Sequence, residues 1–131
     1  MAKHHIFVQM CAEKCAEHLD ACENCLTCTT SESIEEPGCV PCIQTSQDCI
    51  NACRECIFQC REHVKICTDK KCIESCLKCI EQCELCIRAC EECSKQCKIG
   101  GEACAQACQS CINACSDCIN ACNTCVASSC T

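Results

Sequence analysis

The run CIESCLKCIEQCELCIRACEECSKQC, residues 72–97, places Cys72, Cys76, Cys79, Cys83, Cys86, Cys90, Cys93 and Cys97 at gaps that alternate between four and three without a fault. Such gaps average close to the 3.6-residue turn, so all these thiols fall on one face of an α-helix. At 1.5 Å per residue the stripe is a little under about 40 Å long.

The same rhythm recurs on both sides. After Gly100-Gly101 it runs through Cys104, Cys108, Cys111, Cys115, Cys118, Cys122 and Cys125; before Cys72 it runs through Cys49, Cys53, Cys56, Cys60, His63 and Cys67. Near the start it reads Cys11, Cys15, His18, Cys22, Cys25 and Cys28. Four segments therefore share Cys-x-x-x-Cys-x-x-Cys, with one histidine standing in for cysteine in each of the first two. A second stripe, spaced by seven, runs alongside: Ile50, Ile57, Val64; Ile73, Ile80, Ile87; Ile112, Ile119, Val126. It widens each buried face to that of a bundle helix, while Glu, Lys, Gln and Asn take the outer faces.

Helices are expected at about 3–28, 45–67, 70–98 and 102–126. Thr29-Thr30-Ser31, Pro37-Gly38 and Pro41 mark residues 29–44 as a loop, and Gly100-Gly101 ends the third helix by supplying positive φ. Thr45 or Ser46, and Thr68 or Asp69, are candidate N-caps. Short connections make sequential helices antiparallel, so the expected fold is all-α: one domain over 1–131, an up-down-up-down four-helix bundle with a cysteine-lined core.

Composition narrows the function. Cysteine supplies 28 of 131 residues, far above the level that flags a disulfide scaffold or a metal protein. The start carries only the short apolar run Ile6-Phe7-Val8, too little for a signal peptide, and no stretch is apolar enough to span a membrane. A cytoplasmic location with reduced thiols is the expectation. A net charge of −7 and two aromatics, Phe7 and Phe58, argue against nucleic acid. No Gly-rich phosphate loop and no pair of acids in an apolar setting is present, so an enzyme is not expected.

A core built almost wholly of cysteine is costly as mere packing, because Ala, Val or Leu would fill it without the oxidation hazard. Cysteines at i and i+4 have parallel Cβ vectors, poorly set for disulfides. Thiolates select Cu(I), Zn(II) and iron–sulfur clusters. Structural zinc favours paired Cys-x2-Cys knuckles, and clusters favour a wrapping loop with Cys-Pro, which is lacking here. Cu(I) is content with two or three soft ligands, so a continuous stripe becomes a rack of overlapping sites for multiple Cu(I) ions per chain. Zinc or cadmium sequestration, and less readily iron–sulfur electron transfer, stay open as alternatives.

The repeated Cys-x-x-x-Cys-x-x-Cys on four helices, without a signal peptide, resembles the cytosolic branch of the bacterial copper storage proteins over residues 3 to 130. The resemblance implies a homotetramer of four-helix bundles whose core cysteines take up Cu(I) through one open end bearing His and Met. Carried over by position, Cys11 to Cys28 and Cys49 to Cys125 match the core ligands. The chain is richer in cysteine than the family pattern, with Cys39, Cys42 and Cys130 outside the regular stripes as additional candidates. In the expected topology His4, His5, Met10, His63 and Cys130 gather at one pole, with His18 a little deeper. That pole is the expected copper entrance, the alternative being that His4 and His5 are solvated and that His63, like His18, is a packing residue; the donor and acceptor of the metal are not legible.

Overall fold

The computed structural model describes residues 3–30 and 39–128, with side chains for 3–26 and 41–128. Four helices account for nearly all of it: α1 (Lys3–Thr30), α2 (Cys39–Ile66), α3 (Lys70–Ile99) and α4 (Gly101–Ser128). Each helix packs on its sequence neighbours, and α1 closes the ring against α4.

Sulfur contacts give the directions. Cys11 meets Cys53 and Cys15 meets Cys49, so as α1 advances by four residues α2 retreats by four. Cys49 with Cys86 and Cys56 with Cys79 show the same reversal between α2 and α3. Between α3 and α4 it appears as Cys79 with Cys122 and Cys86 with Cys115. Across the diagonal, Cys11–Cys83 and Cys22–Cys93 rise together, so α1 and α3 are parallel. The bundle is up-down-up-down.

The helix ends follow local chemistry. Asp69 caps α3 by accepting from the Cys72 amide at 3.2 Å, satisfying one of the amides a helix start leaves unpaired. Gly100 at φ 84° ends α3, its N–H donating to the Gln96 carbonyl at 2.8 Å, and Gly101 at φ 78° opens α4. Both angles lie where a side chain is strained, which makes this two-glycine reversal specific.

One sequence expectation is corrected. Residues 29, 30 and 39–44 are not loop: α1 runs to Thr30, and α2 begins at Cys39, six residues before the expected start at 45. Pro41 does not break it, because it sits in the first turn, where no N–H is required. Thr45 and Ser46 are therefore interior residues and cap nothing. Thr45 Oγ1 donates to the Pro41 carbonyl at 2.8 Å, and Ser46 Oγ donates to the Cys90 carbonyl of α3 at 2.6 Å.

The second stripe lies where expected. Ile50, Ile57 and Ile80 are buried, Val64, Ile87, Ile112, Ile119 and Val126 are half-buried against the core, and Ile73 is half-buried outside the core cluster. On α1 the equivalent positions, also spaced by seven, are Ala12, Leu19 and Leu26. On the outside Arg54–Glu91 and Arg61–Glu84 bridge α2 and α3 at 3.6 and 3.1 Å, exposed pairs worth at most about 1 kcal/mol each. No helix of the described residues is long and apolar enough to cross a membrane.

Candidate metal centre

All 25 cysteines whose side chains are described are free thiols, and every one except Cys67 is buried. Alternating gaps of three and four turn each stripe to the bundle axis, so thiols from all four helices meet there. Sulfur–sulfur separations cluster near 3.7 Å, as in Cys83–Cys118 and Cys93–Cys108, with shorter approaches of 3.3 Å at Cys15–Cys49 and 3.2 Å at Cys97–Cys104. A tetrahedral ion with metal–sulfur bonds of about 2.3 Å has sulfur edges of about 3.7–3.8 Å. The separations are compatible with ligation and well beyond the ~2.05 Å of a disulfide.

Ligand atoms fall into overlapping groups in which every pair lies within 4.8 Å. Among them are Cys11, Cys15, Cys53 and Cys118; Cys11, Cys83, Cys118 and Cys122; Cys15, Cys49, Cys53 and Cys86; Cys22, Cys42, Cys93 and Cys108; and His18, Cys22, Cys93 and Cys111. Cys11, Cys15, Cys22, Cys53, Cys93 and Cys118 each belong to two of these. The groups form a continuous rack rather than a set of isolated sites.

Such an array cannot ionise at every position, because charge in a low-dielectric interior is expensive unless it is compensated. Neighbouring thiols share protons instead. Hydrogen bonds from Cys108, Cys22 and Cys93 pull Cys42 down to about 4, and those from Cys125 and Cys60, with the nearby His4 and His63, pull Cys76 down to about 3. Donors in turn are held protonated: Cys83 is raised by its bonds to Cys11, Cys118 and Cys122. A bound cation that replaces these protons relieves the same constraint.

The histidines occupy two places. At the pole where α1 starts and α2 ends, His4 stacks on His63 with ring centroids 3.8 Å apart, and His5 lies 4.7 Å from His4. His63 Nε2 is 3.2 Å from Cys72 Sγ. His4 and His5 are buried, and His5 Nε2 has no hydrogen-bond partner among the described residues. Burial, reinforced by neighbouring positive charge, lowers both histidines from their usual range, so each is a neutral imidazole at neutral pH.

His18 is elsewhere. Instead of lying just inside that pole, it sits near the middle of the 28-residue α1, about 21 Å along the axis from His4. It is fully buried, with Nδ1 2.8 Å from Thr45 Oγ1 and Nε2 3.1 Å from Cys111 Sγ and 3.4 Å from Cys22 Sγ. Burial opposes a charge on this ring, but the Cys111 hydrogen bond and surrounding thiolates outweigh it and push the imidazole up to about 9.

Other candidates separate clearly. Cys42, which the regular stripes omit, is fully buried and joins a four-thiol group. Met10 is not brought to the pole; it is exposed on a groove beside Lys14, Asp48 and Asn51. Cys67 is half-buried past the end of α2, its thiol donating to the Asp69 carbonyl at 3.7 Å. Cys28 and Cys39 lie on helices whose side chains are not described there, and Cys130 lies outside the described residues.

One core position went unread in the sequence. Ser46 is fully buried and stands between Cys42 and Cys49 at gaps of four and three, where the rhythm calls for a cysteine. The signal was present once Cys42 is counted into the stripe. No protein-family model matches this chain, and no curated protein and no solved structure matches it.

Proposed function

We propose that this chain is a cytoplasmic Cu(I) store, holding many ions on the thiolates of its core and turning over no substrate. The observation that carries this reading is the sharing of thiols between groups: a ligand common to two sets suits an ion content with two or three sulfurs better than one requiring four of its own. With unshared tetrahedral sites, 28 thiols would hold only about seven zinc ions. Each Cu(I) also cancels one thiolate charge, which makes a dense thiolate core tolerable in low dielectric. The likeness to bacterial copper storage proteins points the same way and adds a tetrameric assembly.

The pole holding His4, His5, His63, Cys72 and Cys76 is the proposed entrance. Imidazoles stacked above the first thiols offer ligands of lower affinity, from which Cu(I) passes inward to sulfur. Metal analysis of protein isolated from copper-fed cells tests the reading. Storage predicts copper in large excess over zinc and iron; zinc or cadmium as the dominant metal would instead favour sequestration of divalent ions.

A further inference from the structure

Midway along the bundle the thiol rack changes character. At this level α1 offers His18 in place of a cysteine, and α2 offers Ser46, whose hydroxyl is committed to the Cys90 carbonyl at 2.6 Å. The donors that remain are His18 Nε2 and Cys22 from α1, Cys93 from α3 and Cys111 from α4, all within 4.8 Å of one another and all buried.

Thr45 sets the orientation of the ring. Its hydroxyl lies 2.8 Å from the Pro41 carbonyl and 3.3 Å from the Cys42 carbonyl, neither of which can donate. The Thr45 proton is therefore spent on the α2 backbone, and its oxygen is left to accept from His18 Nδ1–H at 2.8 Å. That fixes Nδ1 as the nitrogen that keeps its proton when a metal displaces the one on Nε2, and turns Nε2 to Cys111 and Cys22. It is the outer hydrogen bond that metal-ligating histidines ordinarily possess.

We propose that His18, Cys22, Cys93 and Cys111 form a mixed nitrogen–sulfur site for one tetrahedral divalent ion of the zinc class, embedded in a core otherwise devoted to Cu(I). The edges suit that geometry. Nε2–Cys111, Nε2–Cys22 and Cys22–Cys93 measure 3.1, 3.4 and 3.8 Å, against about 3.6 Å for nitrogen–sulfur and 3.7–3.8 Å for sulfur–sulfur edges around zinc. Charge favours the site too. Three thiolates and a neutral imidazole around a divalent ion leave one negative charge, whereas four thiolates leave two, and a buried residual charge is costly. Imidazole is a borderline donor suited to zinc, while Cu(I) gains most from additional sulfur. Thr45 acts here as a positioning residue.

The inference rests on the reading of the core as a metal store, and X-ray absorption of the reduced, metal-free protein given one equivalent of Zn(II) tests it separately from Cu(I) capacity. The expected spectrum has one nitrogen near 2.0 Å and three sulfurs near 2.3 Å. The nitrogen disappears in His18→Ala and persists in His63→Ala. Thr45→Val weakens zinc binding by about tenfold or more, and Thr45→Ser restores it. Four sulfurs around zinc in the unmodified protein, or a nitrogen lost in His63→Ala instead, would overturn the site. Unchanged affinity in Thr45→Val would overturn the role given to Thr45. A protein with this zinc signature but few bound Cu(I) would keep the site while ending the storage reading.

Discussion

Replacing Cys118 by serine separates shared from unshared ligation. Cys118 is fully buried, with its sulfur 3.7 Å from both Cys15 and Cys83, and it completes two four-thiol groups, one with Cys11, Cys15 and Cys53 and one with Cys11, Cys83 and Cys122. Cys118→Ser leaves three sulfurs in each. Three soft ligands still hold Cu(I), so copper capacity stays essentially unchanged. Closed tetrahedral zinc requires four of its own, and because the two groups also share Cys11 only one of them can be filled at a time, so zinc capacity falls by about one. Burying a hydroxyl in place of the thiol costs about 1–3 kcal/mol if it finds no acceptor, and less if it bonds the carbonyl one turn back. A domain stable by about 5–15 kcal/mol survives that. The assay is anaerobic titration of reduced protein with Cu(I) or Zn(II) against a competing chelator, with bound metal counted after desalting. Equal losses for the two ions, or a loss of two or more Cu(I), would refute the idea that thiols are shared.

Further outcomes follow from the same geometry. Ile57→Ala empties a buried position in the flanking stripe, so the metal-free protein should lose about 2–5 kcal/mol and roughly 6–20 °C in Tm; a change under 2 °C in calorimetry would show that the stripe contributes little. His63→Ala removes the ring stacked on His4 and facing Cys72, and stopped-flow uptake should show slower Cu(I) loading at the same final capacity. Equal rates would move the entrance elsewhere. His18 is held protonated up to about 9, above its ordinary 6.5. A group raised on folding stabilises fully below its unfolded value and loses that contribution as pH rises through the folded one. Metal-free protein should therefore lose stability between pH 6.5 and about 9 relative to His18→Gln, and parallel melting profiles for the two would contradict the His18–Cys111 pairing.

The bundle was legible because one rule, alternating gaps of three and four, repeats in every helix, and nothing else satisfies it over 26 residues as residues 72–97 do. The start of α2 was not, because Pro41 reads as a breaker in sequence although its place in the first turn makes it harmless. Extending the rhythm backward from Cys49 through Ser46 to Cys42 would have revealed both the longer helix and the missing thiol. The place of His18 in the stripe is legible from spacing, but its depth follows only once the length of α1 is multiplied by the helical rise. Its link to Thr45 could not be read at all. Thr45 resembled a helix cap, and the contact depends on the rotation of α2 against α1, which spacing within one helix does not encode.

The most direct test of Cu(I) storage is the number of ions one chain binds. Anaerobic titration of the fully reduced protein, with a chromogenic Cu(I) chelator in competition, should reach saturation above about ten Cu(I) per chain, since thiols shared between two- and three-coordinate ions outnumber closed tetrahedral sites. Saturation near about seven, with Zn(II) held more tightly than Cu(I), would contradict it and make the core a divalent-metal trap.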